Sequence, residues 1–232
     1  MQDFFALTPD AILSAVEQAL STEGAPVRAT GRCLVHASME NRVYELELEE
    51  PLPGVGPRVV AKFYRPGRWS LAALRDEHDF LAELAEAELP VVPALPLRQT
   101  ASPEAKTLGI TESGIYFSVF PKVAGRALQE LADDQLAQVG RLLARLHNVG
   151  AAHPAEHRPR LLPTEYAAPA LAATLHSDHV DIQVRSRYER AARTLIERAA
   201  PLFSGVQLQR VHGDCHGGNL LWQTRGPFFL DL

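Results

Sequence analysis

The most restrictive feature of this sequence is a pair of charged residues placed inside apolar elements. Lys62 lies in the middle of RVVAKFY (58–64), whose β-branched and aromatic residues are typical of a strand. In the helix that follows, Glu77 shares the helical stripe of Leu74 and Leu81 and should therefore be buried. Because a buried charge without a partner is costly, we expect Lys62 and Glu77 to pair. A lysine that reaches solvent from an edge strand is the alternative.

Periodicity predicts a β-rich first half and a helical second half. The first helix begins at Thr8-Pro9-Asp10 and ends at Gly24, and alternation in RVYELELEE (42–50) predicts a half-exposed strand that leaves Glu45 solvated. The segment 152–169 should be irregular. The other predicted elements are strands at 91–97 and 115–120, helices from Ser70 to Glu88, from Asp133 to Gly150 and over 184–200, and short strands in VQLQRVH (206–212), GNLLW (218–222) and PFFLDL (227–232).

Composition narrows the class of protein. The chain has 232 residues, of which 46% are hydrophobic, enough to bury a core. Its net charge of −5 argues against a nucleic-acid partner, which usually demands a basic face. Two distant cysteines suggest no disulfide framework, and neither a signal peptide nor a membrane span is apparent. We therefore expect a soluble, cytoplasmic protein.

The stretch VHGDCHGGNLL (211–221) concentrates functional groups on one short turn. A metal site would use His212, Cys215 and His216, but the glycines disfavour the helix that would align the two histidines. A nucleophilic Cys215 would need His147 or His216 as its base, and nothing local activates the thiol. An ordinary polar turn is a further alternative.

A phosphoryl-transfer loop explains the spacing of this turn better. His212, Asp214 and Asn219 fit the pattern H-x-D-x-x-x-x-N. The aspartate can accept the proton of an attacking hydroxyl, and the asparagine oxygen can reach a magnesium ion. Asp231, at the end of an apolar strand, can supply a charged second ligand to that ion. A strand lysine held by a helix glutamate completes the arrangement found in protein kinases.

With these motifs the sequence resembles the aminoglycoside phosphotransferase and choline kinase-like group. Within that group it is similar to the bacterial stress response kinase A family of serine/threonine protein kinases. The narrower resemblance rests on SMENRVYEL (38–46), VVAKFYRPGRWS (59–70), DEH (76–78), VFPKVAGR (119–126), GRLLARLH (140–147) and HGDCHGGNLLW (212–222). It implies an α+β, two-lobed kinase-like fold. Residues 1–120 would form a β-rich N-lobe with one helix, 121–126 a hinge, and 127–232 a mostly helical C-lobe.

The resemblance also implies roles for individual residues. Asp214 would be the catalytic base, and Asp231 a second catalytic carboxylate that binds Mg²⁺ together with Asn219. Lys62 would hold the α- and β-phosphates of ATP, positioned by Glu77. The remaining nucleotide contacts would come from Ser38 and the backbone through Asn41 over the phosphates, and from the hinge segment Phe120 to Val123 at the adenine.

Two features depart from this family pattern. No G-x-G-x-x-G occurs, and Ser38-Met39-Glu40-Asn41 stands where a glycine-rich loop would lie. The chain also stops one residue after Asp231, whereas family members continue for a further, mostly helical stretch. We therefore expect an incomplete C-lobe, and a longer chain should be more stable and more active.

The resulting hypothesis is an ATP- and Mg²⁺-dependent monomeric enzyme that phosphorylates serine or threonine of a protein in a bacterial stress response. One alternative is a small-molecule kinase for an aminoglycoside, choline or a related amine alcohol. The other is a truncated pseudokinase. Retention of Lys62, Glu77, Asp214, Asn219 and Asp231 together disfavours a pseudokinase.

Overall fold

A five-stranded antiparallel sheet dominates the first half of the chain. The computed structural model describes residues 4–232 and orders the strands β1-β2-β3-β5-β4. Their bounds are Ala29–His36 (β1), Arg42–Leu52 (β2), Gly56–Phe63 (β3), Gly109–Ile110 (β4) and Tyr116–Pro121 (β5). Val59, Ala61 and Phe63 of β3 are buried on one face of the sheet. Because strand side chains alternate, Lys62 points to the other face, opposite Val43 and Ser118 of the neighbouring strands.

Helix α1 (Pro9–Leu20) covers the first face of this sheet. The Thr8 side chain accepts a hydrogen bond from Ala11 N at 3.2 Å, which confirms the predicted cap. The helix ends at Leu20, earlier than predicted. Gly24 instead takes a positive φ of 82° in a tight turn closed by paired hydrogen bonds between Thr22 and Ala25.

Helix α2 (Leu71–Glu86) follows β3 and begins at the predicted cap, with Ser70 Oγ accepting from Ala73 N at 3.1 Å. The residues of the predicted stripe are all buried: Leu74, Glu77, Leu81 and Leu84. Sequence periodicity therefore placed Glu77 on the correct face of the helix.

The predicted strand at 91–97 is wrong. This segment forms only an isolated bridge at Val91, because Pro93 and Pro96 have no N–H to donate to a ladder. It nevertheless packs on the sheet, since Leu95 N donates to Val119 O at 2.7 Å.

A second core lies around helix α3 (Asp133–Gly150) and the antiparallel hairpin of β6 (Leu220–Gln223) and β7 (Gly226–Phe229). Leu146 and Phe229 are fully buried in it, together with Leu84 from α2. The strand predicted over 206–212 is absent. Its backbone bonds to helix ends instead, from Val206 N to Phe203 O and from Arg210 N to Gly150 O.

The chain divides into two compact units: residues up to His157 together with Arg210–Leu232, and Arg158–Gln209. The second unit contains a π-helical turn at Pro163–Ala167, α4 (Ala168–His176) and α5 (Ile182–Ala199). Arg185 joins the two helices by donating to Leu175 O at 2.8 Å and Ser177 O at 3.1 Å. The segment predicted as irregular therefore contains one helical turn. The division into lobes at 121–126 stays a prediction.

Among the helices of the described part of the chain, none combines the length and apolarity needed to cross a bilayer.

Candidate active site

The strongest feature of the candidate site is a lysine held between two carboxylates. Lys62 Nζ lies 3.4 Å from Glu77 Oε1 and also donates to Asp231 Oδ1. The Lys62 and Glu77 side chains are only 12% and 6% exposed, whereas that of Asp231 is 49% exposed. The partnership predicted for Lys62 and Glu77 is thus present. The sheet supplies the lysine, α2 the glutamate, and the end of the β6–β7 hairpin the aspartate.

The two carboxylates keep this buried lysine charged. Burial alone would lower the pKa of Lys62, but the negative charges of Glu77 and Asp231 outweigh it and raise the pKa. The ammonium also lies 5.2 Å from the centre of the Tyr64 ring. A fixed positive charge of this kind suits the recognition of a phosphate group.

The turn at 211–221, which the sequence predicts to carry catalysis, is compact. Residues 217–219 form one turn of 3₁₀ helix, capped by His216 Nδ1, which accepts from Gly218 N at 3.0 Å. A side chain at position 218 would come within 2.7 Å of the His216 ring, so a larger residue there would displace the ring from its capping position. Asn219 Nδ2 donates to Asp214 O at 3.0 Å and lies 3.5 Å from Asp214 Oδ2. Asn219 thereby holds Asp214, whose side chain is 73% exposed.

Asp231 is tied to this turn through the backbone. Leu230 N donates to Asn219 O at 2.9 Å, so Asn219 is bonded to the residue that precedes Asp231. Asp231 takes a left-handed φ of 58°, which is uncommon outside glycine and is best tolerated by aspartate and asparagine. The structure therefore brings Lys62, Asp214, Asn219 and Asp231 into one connected group.

The remaining predicted residues lie on or next to the strands of the five-stranded sheet. Phe120 pairs with Val60, two residues before Lys62, and Val123 follows β5. Ser38 and Asn41 lie in the connection between β1 and β2, where Asn41 N donates to Ser38 Oγ at 3.2 Å. Their roles in nucleotide binding stay predictions.

The other interpretations of the turn find little support. Within residues 4–232, no cluster of three or more His, Cys, Asp or Glu side chains is arranged to hold a metal ion. The pKa of Cys215 is raised by burial and by Asp214, the reverse of what an activated thiolate needs. His212 is buried against the edge of Phe229, with ring centres 5.7 Å apart, and burial lowers its pKa.

A buried polar network beside Lys62 was missed from the sequence. Tyr64 Oη lies 2.9 Å from His78 Nε2 and 3.1 Å from Ser118 Oγ, while His78 Nδ1 lies 2.6 Å from Thr107 Oγ1. Burial raises the pKa of Tyr64. A signal was available, because His78 follows Leu74 by four residues and so lies on the same buried stripe as Glu77.

Glu45, which strand alternation assigns to solvent, is engaged in ion pairs instead. Glu45 is 8% exposed and pairs with Arg58 at 2.9 Å, Lys122 at 2.7 Å and His36 at 3.2 Å. Alternation predicts on which face of the strand a side chain lies. It does not show which cations from neighbouring strands contact that face.

Glu83 of α2 is likewise held, here by the buried Arg210. Arg210 Nη1 donates to Glu83 Oε1 at 2.9 Å, and its guanidinium lies 4.4 Å from the centre of the Phe80 ring. This hydrogen bond lowers the pKa of Glu83. The pair joins α2 to the segment that leads into the turn of Asp214.

A sheet lysine paired with a helix glutamate, beside an aspartate–asparagine turn and a second aspartate, defines the class of kinase-like phosphotransferases. The family model described as "Phosphotransferase enzyme family" (APH) matches residues 33–232, and the chain belongs to this family.

Individual relatives agree with that assignment. The chain is 35% identical over 196 residues to the protein named "Serine/threonine protein kinase RdoA" of Salmonella typhimurium, covering 84% of this chain and 56% of that protein. It is 34% identical over 233 residues to stress response kinase A of Escherichia coli K12, covering 99% and 64%. The chain thus spans little more than half of the Salmonella protein. The resemblance to the stress response kinase A family is confirmed.

Among solved structures, the amicoumacin kinase hAmiN, in complex with AMP-PNP, Ca²⁺ and Ami, has a TM-score of 0.70. The two proteins are 17% identical, and the match covers 96% of this chain and 63% of the amicoumacin kinase. This likeness confirms the predicted kinase-like α+β fold.

The residues at the candidate site fit a magnesium ion. Asn219 and Asp231 offer amide and carboxylate oxygens, which are the hard ligands that Mg²⁺ prefers when phosphate oxygens complete its shell. Such an ion needs no cluster of three carboxylates.

Proposed function

We propose that this protein transfers the γ-phosphoryl group of ATP to a serine or threonine hydroxyl of a protein, in a bacterial stress response. The observation that carries the proposal is the buried Lys62 ammonium fixed by Glu77 and Asp231. In this proposal residues 1–120 form the N-lobe, 121–126 the hinge and 127–232 the C-lobe of a cytoplasmic monomer.

In the proposed mechanism Lys62 binds the α- and β-phosphates, and Glu77 keeps it in place. Asp214 orients the acceptor hydroxyl and takes its proton as the oxygen attacks the γ-phosphorus and the bond to the ADP oxygen breaks. Asn219 and Asp231 would hold Mg²⁺, which when bound neutralises charge on the phosphates. Positioning and electrostatics supply most of the catalysis in such transfers.

The names of the relatives favour a protein acceptor. The chain is 34–35% identical to relatives named as a stress response kinase and a serine/threonine protein kinase, but only 17% identical to the amicoumacin kinase. This difference supports a protein acceptor. The rival acceptor is a small amine alcohol, since proteins of similar fold are named as an aminopropanol kinase and a choline kinase.

Radiolabelled ATP separates the two acceptors. The chain is incubated with magnesium and labelled ATP, in one reaction with a basic protein mixture and in another with free aminoglycoside or choline. We expect label on protein serine and threonine, and none with Asp214→Ala. Label only on the small molecule would replace the protein kinase proposal, and transfer by Asp214→Ala at the normal rate would refute the mechanism.

A further inference from the structure

The connection between β1 and β2 occupies the place of a glycine-rich loop, yet contains no glycine. It runs from Ala37 to Asn41, and its turn is formed by Ser38, Met39, Glu40 and Asn41. Outside glycine, the only positive φ angles in the described chain belong to Glu88 and Asp231, so this turn uses ordinary backbone geometry. Some other feature must therefore hold its backbone in position.

The side chain of Arg65 contacts the backbone of the turn directly. Arg65 follows β3, and its guanidinium donates from Nε to Glu40 O and from Nη2 to Met39 O, both at 3.1 Å. Its backbone N also donates to Asn41 Oδ1 at 3.3 Å, and Asn41 is buried. A planar guanidinium is suited to bridging two acceptors at once, whereas a lysine is not.

The Glu40 side chain ties the turn to the same segment a second time. Glu40 Oε1 accepts from Arg68 Nε at 2.7 Å and from Trp69 Nε1 at 3.1 Å. The Arg68 guanidinium lies 4.5 Å from the centre of the Trp69 ring, which keeps both donors in place. The turn is thus joined to the segment 65–69, which connects the strand of Lys62 to the helix of Glu77.

These contacts also orient the peptide groups of the turn. In a trans peptide the N–H points away from the C=O. With the carbonyls of Met39 and Glu40 directed at Arg65, the N–H groups of Glu40 and Asn41 are turned to the opposite side. Asn41 N donates there to Ser38 Oγ, which fixes the hydroxyl as well.

We propose that Arg65 and Glu40 form a clamp that holds residues 38–41 in place for the phosphates of the nucleotide, replacing the glycine-rich loop. This inference rests on the proposed function. Arg65, Glu40, Arg68 and Trp69 are positioning residues, because they act through the turn.

The clamp can be tested by comparing nucleotides that do and do not carry phosphates. Dissociation constants are measured for ATP, ADP and adenosine with Arg65→Ala, Arg65→Lys and wild type. We expect Arg65→Ala to weaken ATP and ADP by about 10-fold and to leave adenosine unchanged. Arg65→Lys should resemble Arg65→Ala, while Glu40→Gln, which keeps an acceptor oxygen, should lose less than Glu40→Ala. Arg28→Ala, which removes an arginine paired with Glu17 of α1, is the matched control.

Hydrogen exchange of a peptide covering residues 37–44 provides a second readout that needs no nucleotide. Arg65→Ala should speed exchange there while its melting temperature shows that it is folded, and Arg28→Ala should not. Wild-type exchange and wild-type ATP affinity in Arg65→Ala would overturn the clamp and leave the proposed function standing. Faster exchange in a protein whose wild type binds no ATP would instead refute the proposed function, and with it the role of the clamp in phosphate binding.

Discussion

The two halves of the candidate site differ sharply in their exposure to solvent. Lys62 and Glu77 are buried between a sheet and a helix, whereas Asp214 and His216 stand on a turn with 73% and 61% of their side chains exposed. In the proposed function the buried half would bind the phosphates, with Lys62 held in place by Glu77. In the proposed function the exposed half would receive the acceptor hydroxyl. The comparison teaches that nucleotide binding and phosphoryl transfer should be separable by mutation.

The largest effect is expected at the exposed half. Replacing Asp214 by alanine removes the proposed base and should lower the transfer rate about 10³-fold, within the range of general acid–base catalysis. Because the side chain is exposed, the melting temperature should barely change. Steady-state kinetics and thermal unfolding check both points, with Asp79→Ala on the exposed face of α2 as control. A rate close to wild type would show that Asp214 is not the base.

The buried half should respond to mutation through stability as well as binding. Lys62→Met leaves the Glu77 carboxylate buried beside an apolar group, and we expect it to cost about 3 kcal/mol of unfolding free energy. The double variant Lys62→Met/Glu77→Leu removes both charges and should recover most of that stability while staying inactive. Chemical denaturation measures the unfolding free energies of wild type and of both variants. Equal stabilities of the single and double variants would show that the unpaired Glu77 carboxylate is not what destabilises Lys62→Met.

Glu45 is a second buried charge on the sheet, and its pKa also depends on its partners. Burial alone would raise the pKa of Glu45, but hydrogen bonds from Lys122, Arg58 and His36 outweigh it and lower the pKa from 4.5 to about 2. A lowered pKa contributes stability that is fully present above pH 4.5 and is lost as the pH falls through 2.

Glu45→Gln should therefore cost on the order of 2 kcal/mol at pH 7 and flatten the acid limb of the stability curve between pH 4.5 and 2. Unfolding free energies measured across this range check the prediction. Glu47→Gln, which removes a more exposed carboxylate from the same strand, should change little. Identical acid limbs for Glu45→Gln and wild type would contradict the assignment of the lowered pKa to this residue.

The smallest effect concerns the helix that carries Glu77. Ser70→Ala removes the cap of α2 and should cost about 1 kcal/mol. Thr8→Ala removes the equivalent cap of α1 at a similar cost, but α1 carries no residue of the candidate site. We expect only Ser70→Ala to raise the KM for ATP. If the two variants have the same KM, α2 does not control the position of Glu77.

Sequence analysis correctly predicted the elements whose patterns are local. The caps at Thr8 and Ser70, the stripe containing Glu77 and the hairpin before Asp231 all follow from the spacing of nearby residues. It failed where proline removed ladder donors at 91–97, and where distant cations determined a side chain's environment. Glu45 meets Lys122, and Glu83 meets Arg210, across 77 and 127 positions respectively. No periodicity within one element can reveal such a partner.

The same limit applies to the candidate site. The pairing of Lys62 with Glu77 was predictable, because two misplaced charges on successive elements have one economical explanation. The contact of Lys62 with Asp231 was not, because it depends on how the β6–β7 hairpin packs against α2. The clamp on residues 38–41 was also hidden, since Arg65 and Arg68 look like ordinary loop cations in the sequence.

The most direct test of this account is the affinity for ATP in the presence of Mg²⁺ of Asp214→Ala and Lys62→Met, measured side by side by calorimetry. The account predicts that Asp214→Ala binds ATP like wild type, whereas Lys62→Met binds it about 100-fold more weakly. Equal affinities in the two variants, whether both normal or both reduced, would contradict the division of the site into a buried half that binds nucleotide and an exposed half that transfers phosphate.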